Sequence, residues 1–179
     1  MNALWDHYWP AITLALVAGA IAGALGFRLA SPMKRLSPEL RRRRFAALAA
    51  GALVVVGAAA LWHGPLGAGG RFAGQVERQA RETLAAFEMA QVRSRLETAP
   101  LRRTLVLAGP ADAFQRSELV RIMSTIPGVG TVRWADGPGA RALPLIAEAM
   151  LAALAAFGLG LALSYFVELR RRSRAEWRW

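Results

Sequence analysis

Residues 8–27, YWPAITLALVAGAIAGALGF, carry no charged side chain and are closed by Arg28. A hydrocarbon core about 30 Å thick needs roughly 20 helical residues, so this run by itself predicts a membrane-spanning helix. Two further runs share its form. Residues 45–62, FAALAAGALVVVGAAALW, follow Arg41 to Arg44, and residues 149–167, AMLAALAAFGLGLALSYFV, precede Arg170 to Arg172. Three spans make this a membrane protein. The first has Asp6 in front of it and no basic segment, so it reads as a retained span rather than a cleaved signal peptide.

Between the second and third spans lies a stretch of different character. The 179 residues are 55% hydrophobic and 20% charged, too apolar for a soluble domain and too charged for spans alone. The expected fold is therefore membrane α-helical with a small extramembrane α+β domain. Its expected divisions are an N-terminal segment with the first span (1–30), a basic loop (31–44), a second span (45–63), the extramembrane domain (64–142), a third span (143–167) and a basic tail (168–179).

The formal charge of +11 is concentrated beside the spans. From Arg28 to Arg44 there are seven basic residues against Glu39, and from Glu168 to Trp179 five arginines against two glutamates, whereas 64–140 holds ten basic and seven acidic residues. This is the pattern of membrane topology rather than of a nucleic-acid groove. Short Lys/Arg-rich loops stay cytoplasmic, and segments longer than about 60 residues cross largely regardless of charge. Both rules place the basic loop and the C-terminal tail in the cytoplasm. The N-terminus and central domain then lie on the outer side. The absence of cysteine excludes disulfides, iron–sulfur clusters and thiolate metal sites.

Small residues punctuate the first two spans: Ala15, Gly19 and Gly23 on one stripe of the first, and Gly51 in the second. In lipid such positions permit close helix approach, so these four are candidates for helix–helix packing, within the chain or against another subunit. Trp5, Tyr8, Trp9, Trp62, Tyr165, Trp177 and Trp179 fall near span ends, where aromatic rings sit at headgroup level. Glu148 lies about one turn into the third helix and reads as an interfacial carboxylate favoured by the helix dipole. His7 and His63 fall on one side of the membrane. Two imidazoles there are able to flank a metal or haem, but no carboxylate or Cys stands at ligand spacing, so both are expected to be wet interfacial residues.

In the central segment Phe72, Val76, Ala80, Leu84 and Phe87 recur at helical spacing, with Glu77/Arg81 and Arg78/Glu82 as pairs on a solvated face. Alternation from Gln91 to Glu97, a turn at Ala99-Pro100 and the β-prone run Thr104 to Leu107 predict two antiparallel strands. Asp112 with Gln115 imitates a capping box, Leu119, Ile122, Met123 and Ile126 mark a second helix, and Val129 to Trp134 forms a last strand. The expected order is αββαβ.

That order, with Leu105-Val106-Leu107-Ala108-Gly109 before a helix and Ile126-Pro127-Gly128-Val129-Gly130-Thr131-Val132 after it, resembles the BON-domain family over about residues 72–135. The glycine after the strand permits a tight turn, and Pro127-Gly128 stops the helix before Val129 and Val132 re-enter the sheet. Pro110 and a charged first strand depart from the family pattern. The resemblance implies attachment to phospholipid membranes and protein contacts in the bacterial envelope, and it carries no catalytic residues.

Arg93, Arg95, Arg102 and Arg103 cluster about the hairpin and are the candidates for lipid or partner contact. Each is worth about 1 kcal/mol near an anionic surface. The competing reading is a charged strand edge that resists aggregation. The expected function is non-enzymatic: an envelope protein whose periplasmic domain binds a protein partner or a phospholipid surface. The alternative is an accessory subunit that stabilises a larger respiratory, photosynthetic or transport complex. Asp112, Ser117 and Glu118 share a helix turn without a nearby histidine, and the glycines of 64–74 lack a Gly-Lys-Ser/Thr ending. No cofactor, nucleic acid or small-molecule substrate is expected.

Overall fold

The structure of the protein is a computed structural model that describes residues 3–28, 38–139 and 142–176. In chain order its elements are α1 (Ala3–Arg28), α2 (Pro38–His63), α3 (Ala68–Ala86), β1 (Arg93–Thr98), β2 (Leu101–Ala108), α4 (Ala113–Met123), β3 (Thr131–Trp134) and α5 (Leu145–Glu176). The chain forms two compact units, one of Met1–Tyr8 with Trp62–Glu148 and the other of Trp9–Leu61 with Ala149–Trp179.

Stretches of 25, 23 and 30 residues in α1, α2 and α5 are long and apolar enough to cross a membrane. α2 begins at Pro38, whose missing N–H is tolerated at a first helical position, so Arg41 to Arg44 belong to the helix rather than to a loop. α5 likewise continues through Arg170 to Arg172. Lys34 and Arg35 of the basic loop, and Trp177 and Trp179 of the tail, lie outside the described residues.

In the second unit the packed surfaces are built from small residues. Ala11, Ala15, Val55, Ala59, Ala153, Ala156 and Phe157 form its core. α1 and α5 approach so closely that Gly19 and Gly160 have no room for a side chain against each other's helix backbone. A Cβ at Gly23 would lie 2.7 Å from that of Ser164, and the Ser164 hydroxyl donates to the Ala20 carbonyl at 2.6 Å. Dispersion and an interhelical hydrogen bond are the attractive terms available in lipid. The Phe157 ring reaches Gly51 of α2, where a Cβ would stand 3.1 Å from it. At the C-terminal end of α1, Arg44 donates to the Gly26 carbonyl at 2.9 Å and Arg172 to the Phe27 carbonyl at 3.1 Å. Those carbonyls have no intrahelical partner, so two of the arginines read as topology signals also close a helix end.

The first unit is an α/β layer. Phe72, Val76, Ala80 and Leu84, four residues apart on α3, face Leu96 of β1, Leu105 and Leu107 of β2 and Trp134 of β3, with Leu119 and Met123 of α4 completing the core. Ala3 of α1 and Leu145 of α5 are buried in the same core. Phe87, expected on the buried stripe, is 54% exposed, because α3 ends at Ala86 and the chain turns away. The sheet order is β1-β2-β3, with β1 antiparallel and β3 parallel to β2. The register shifts between Leu96 and Thr98. β2 begins at Leu101, three residues before the run from which the strand was expected, because Arg102 and Arg103 mask it in the sequence. Asp112 and Gln115 form a reciprocal capping box on α4, at 2.7 Å and 3.0 Å. Gly128 has φ 107°, and a Cβ there would sit 2.8 Å from Val76, so only glycine suits this turn.

Candidate functional site

Strand alternation sorts the arginines. Leu105, Leu107, Val132 and Trp134 point into the core, so Val106 and Arg133, one residue out of phase, point to the open face of the sheet. Arg95 pairs with Val106 in register and Arg133 pairs with it from the other side, so one row across the sheet reads Arg95, Val106, Arg133. Arg93, opposite Ala108, extends this surface, and so does Arg102, in phase with Thr104 and Val106 along β2. Among the described residues of the three strands, four arginines share the open face with one acid, Glu97, which pairs with Arg102 at 3.1 Å. Beneath them the Thr104 and Thr131 hydroxyls pair at 3.0 Å. Arg102 Nε, Arg133 Nε and the second Glu97 oxygen are buried without a hydrogen-bond partner. The open side of β1 forms a shallow groove of about 500 Å³ lined by Arg93, Arg95, Glu97, Val106 and Ala108.

Arg103 does not belong to this face. It is on the Leu105 side of β2, where it donates to the Gly128 carbonyl at 3.1 Å and pairs with Glu148 at 3.4 Å. Neighbours in sequence, Arg102 and Arg103 are separated by the pleat. Arg133 takes its place in the set. Its membership follows from phase with Trp134, a signal present in the last strand but read only once that strand's buried face is known.

Around the N-terminal end of α5 the polar residues are paired. Tyr8 donates to Glu148 at 2.6 Å, on the same oxygen that Arg103 approaches. Glu148, expected as a lone interfacial acid, is therefore a junction between α1, β2 and α5. His7 is also placed differently from its expectation: it is 3% exposed, with its Nε2 3.5 Å from Nδ1 of His63. The two rings meet edge-on with centroids 5.3 Å apart, and Phe72 lies 5.5 Å away. Trp62 donates to the His7 carbonyl at 2.9 Å, while Arg71 lies over the Trp62 ring at 5.3 Å. Both histidines lie within one unit of the fold, and packing by Phe72 is what removes His7 from water.

The three polar residues on α4 are each engaged locally. Asp112 caps the helix and Ser117 donates to the Phe114 carbonyl at 2.8 Å. Glu118 is hydrogen-bonded to Arg121, which holds its carboxyl below the ordinary range. Asp136 is held low in the same way by Arg116, at 2.7 Å, whose guanidinium also lies 4.7 Å over the Trp134 ring. The packing candidates Ala15, Gly19, Gly23 and Gly51 all lie in the second unit. Ala15 is fully buried, Gly19 and Gly23 meet α5, and Gly51 meets Phe157. Compared with known proteins, the chain matches no family model, no curated protein and no solved structure.

Proposed function

We propose that the protein is a non-enzymatic, three-span protein of a bacterial inner membrane whose α/β unit faces the periplasm and docks through the open face of its sheet on an anionic phospholipid surface. The observation that carries this reading is the set of Arg93, Arg95, Arg102 and Arg133 on one face of the sheet, with Glu97 the one acid among the described strand residues. With about 1 kcal/mol for each arginine near an anionic surface, the net excess suffices to hold a unit already tethered by its own spans. The resemblance of residues 72–135 to the BON-domain family points the same way. The basic clusters flanking the spans support the periplasmic placement, with the C-terminal tail in the cytoplasm. The engagement of Asp112, Ser117 and Glu118 in local bonds supports a binding rather than a catalytic role.

The core of the α/β unit includes Ala3 and Leu145, so the test uses the full chain. A fluorescent label on a cysteine replacing Val106 is followed in nanodiscs. Docking predicts a blue-shifted label, quenched by headgroup quenchers, in anionic nanodiscs at low salt, and its loss when Arg93, Arg95, Arg102 and Arg133 become Gln. A label equally solvent-exposed in anionic and zwitterionic nanodiscs rejects lipid contact, and its protection by a co-purifying acidic protein instead identifies a protein partner for the same face.

The second reading, an accessory subunit of a larger membrane complex, draws on α2. Gly57 has open space beside it and lies on an outward face with Leu53, Val54 and Leu61. A helix of another chain fits such a position closely. A stoichiometric membrane partner in mild detergent, lost on Gly57→Leu, distinguishes this reading from lipid docking.

A further inference from the structure

We infer that His7 and His63 form a binding site for a borderline transition-metal ion of the Zn²⁺ or Cu²⁺ class. The two facing nitrogens, His7 Nε2 and His63 Nδ1, stand 3.5 Å apart, beyond the distance of a good imidazole hydrogen bond. With nitrogen–metal bonds of about 2.0–2.1 Å, that separation corresponds to an N–metal–N angle of about 115°, near the tetrahedral value. Imidazole nitrogen is the donor type that zinc and copper share.

The surroundings suit a fixed pair of donors. His7 is held on α1 by the Trp62 bond to its carbonyl and by Phe72 against its ring. His63 ends α2, and a Cβ at Gly69 would come within 2.9 Å of its ring, so glycine at that position leaves the imidazole its place. His7 Nδ1 lies buried on the far side of the ring, so the nitrogen that faces His63 is Nε2. Tyr8 is bonded to Glu148 and is not available to the pair. Among the described residues no group of three or more His, Cys, Asp or Glu side chains gathers around an ion site. The chain therefore supplies two donors, and the remaining positions fall to water or to donors from another molecule. Such a site exchanges its ion, in contrast to a closed structural zinc site.

Metal-free full-length protein in detergent micelles, titrated with Zn²⁺ and with Cu²⁺ against a competing chelator, tests the site. One ion per chain is expected, with two-nitrogen superhyperfine structure in the Cu²⁺ electron paramagnetic resonance spectrum and quenching of Trp62 emission. His7→Gln and His63→Gln should each weaken binding tenfold or more, with the helical circular dichroism retained. His63 is the more exposed of the two, so His63→Gln decides the matter should His7→Gln fail to fold. Absence of a stoichiometric ion, or equal affinity in wild type and His63→Gln, overturns the inference.

Discussion

The Glu77 carboxylate on α3 accepts the backbone N–H of Leu96 at 3.0 Å, from the outer edge of β1. An edge strand presents unpaired amides that invite pairing with another chain, and here a side chain from the covering helix occupies one of them. The sequence pairs Glu77 with Arg81 on a solvated helix face; the fold turns it to the sheet instead. Glu77→Ala should cost about 1–3 kcal/mol, the penalty for an unsatisfied, partly buried donor. Thermal unfolding in detergent and light scattering would record lower stability together with increased self-association. Unchanged values for both would deny the carboxylate this role.

Arg103 should behave oppositely to the open-face arginines, because the pleat sends Arg93 and Arg95 to the open face and Arg103 to Glu148. Arg103→Gln leaves Glu148 without its cation and should lower the melting temperature with little effect on the Val106 label in anionic nanodiscs. Arg93→Gln with Arg95→Gln, both exposed, should weaken that contact at low salt while leaving stability within about 0.5 kcal/mol, as for ordinary surface substitutions. Equal effects of both changes on lipid contact would contradict the assignment of faces.

Gly160 has no space for a Cβ beside Leu16, Gly19 and Ala20. Gly160→Leu should force α1 and α5 apart and break the Ser164–Ala20 hydrogen bond, costing about 1–3 kcal/mol or more. Helix content by circular dichroism should persist while the thermal midpoint falls. Gly158→Leu, at a position with open space on the same helix, is the matched control.

The carboxyl of Asp136 is lowered by its hydrogen bond to Arg116. A depressed carboxylate adds stability above its unfolded pKa, about 3.9 for Asp, and loses it as pH falls through the lower folded value. Wild type should therefore melt above Asp136→Asn at neutral pH, and the two should converge in strong acid. A gap independent of pH would place the effect elsewhere.

The sequence exposes those parts of the molecule that depend on local pattern. The three uncharged runs, the fourfold spacing of Phe72, Val76, Ala80 and Leu84, and the Asp112–Gln115 box are set by neighbours within a few turns. What it conceals depends on distant partners. Arg103 leaves the arginine set because β2 starts at Leu101 and meets α5, and His7 is buried because Phe72 and Trp62 fold over it. Arg133 joins the open face by its phase relative to Trp134.

The orientation of the α/β unit is the claim on which the periplasmic reading rests, and the chain's lack of cysteine makes it directly measurable. Phe114, 77% exposed on α4, and Glu39, exposed at the start of α2, are each replaced by a single cysteine and treated in intact spheroplasts with a membrane-impermeant thiol reagent. Labelling at 114 and protection at 39 until the membrane is opened is the predicted result. Labelling at 39 with protection at 114 would put the arginine face in the cytoplasm and contradict the proposed function.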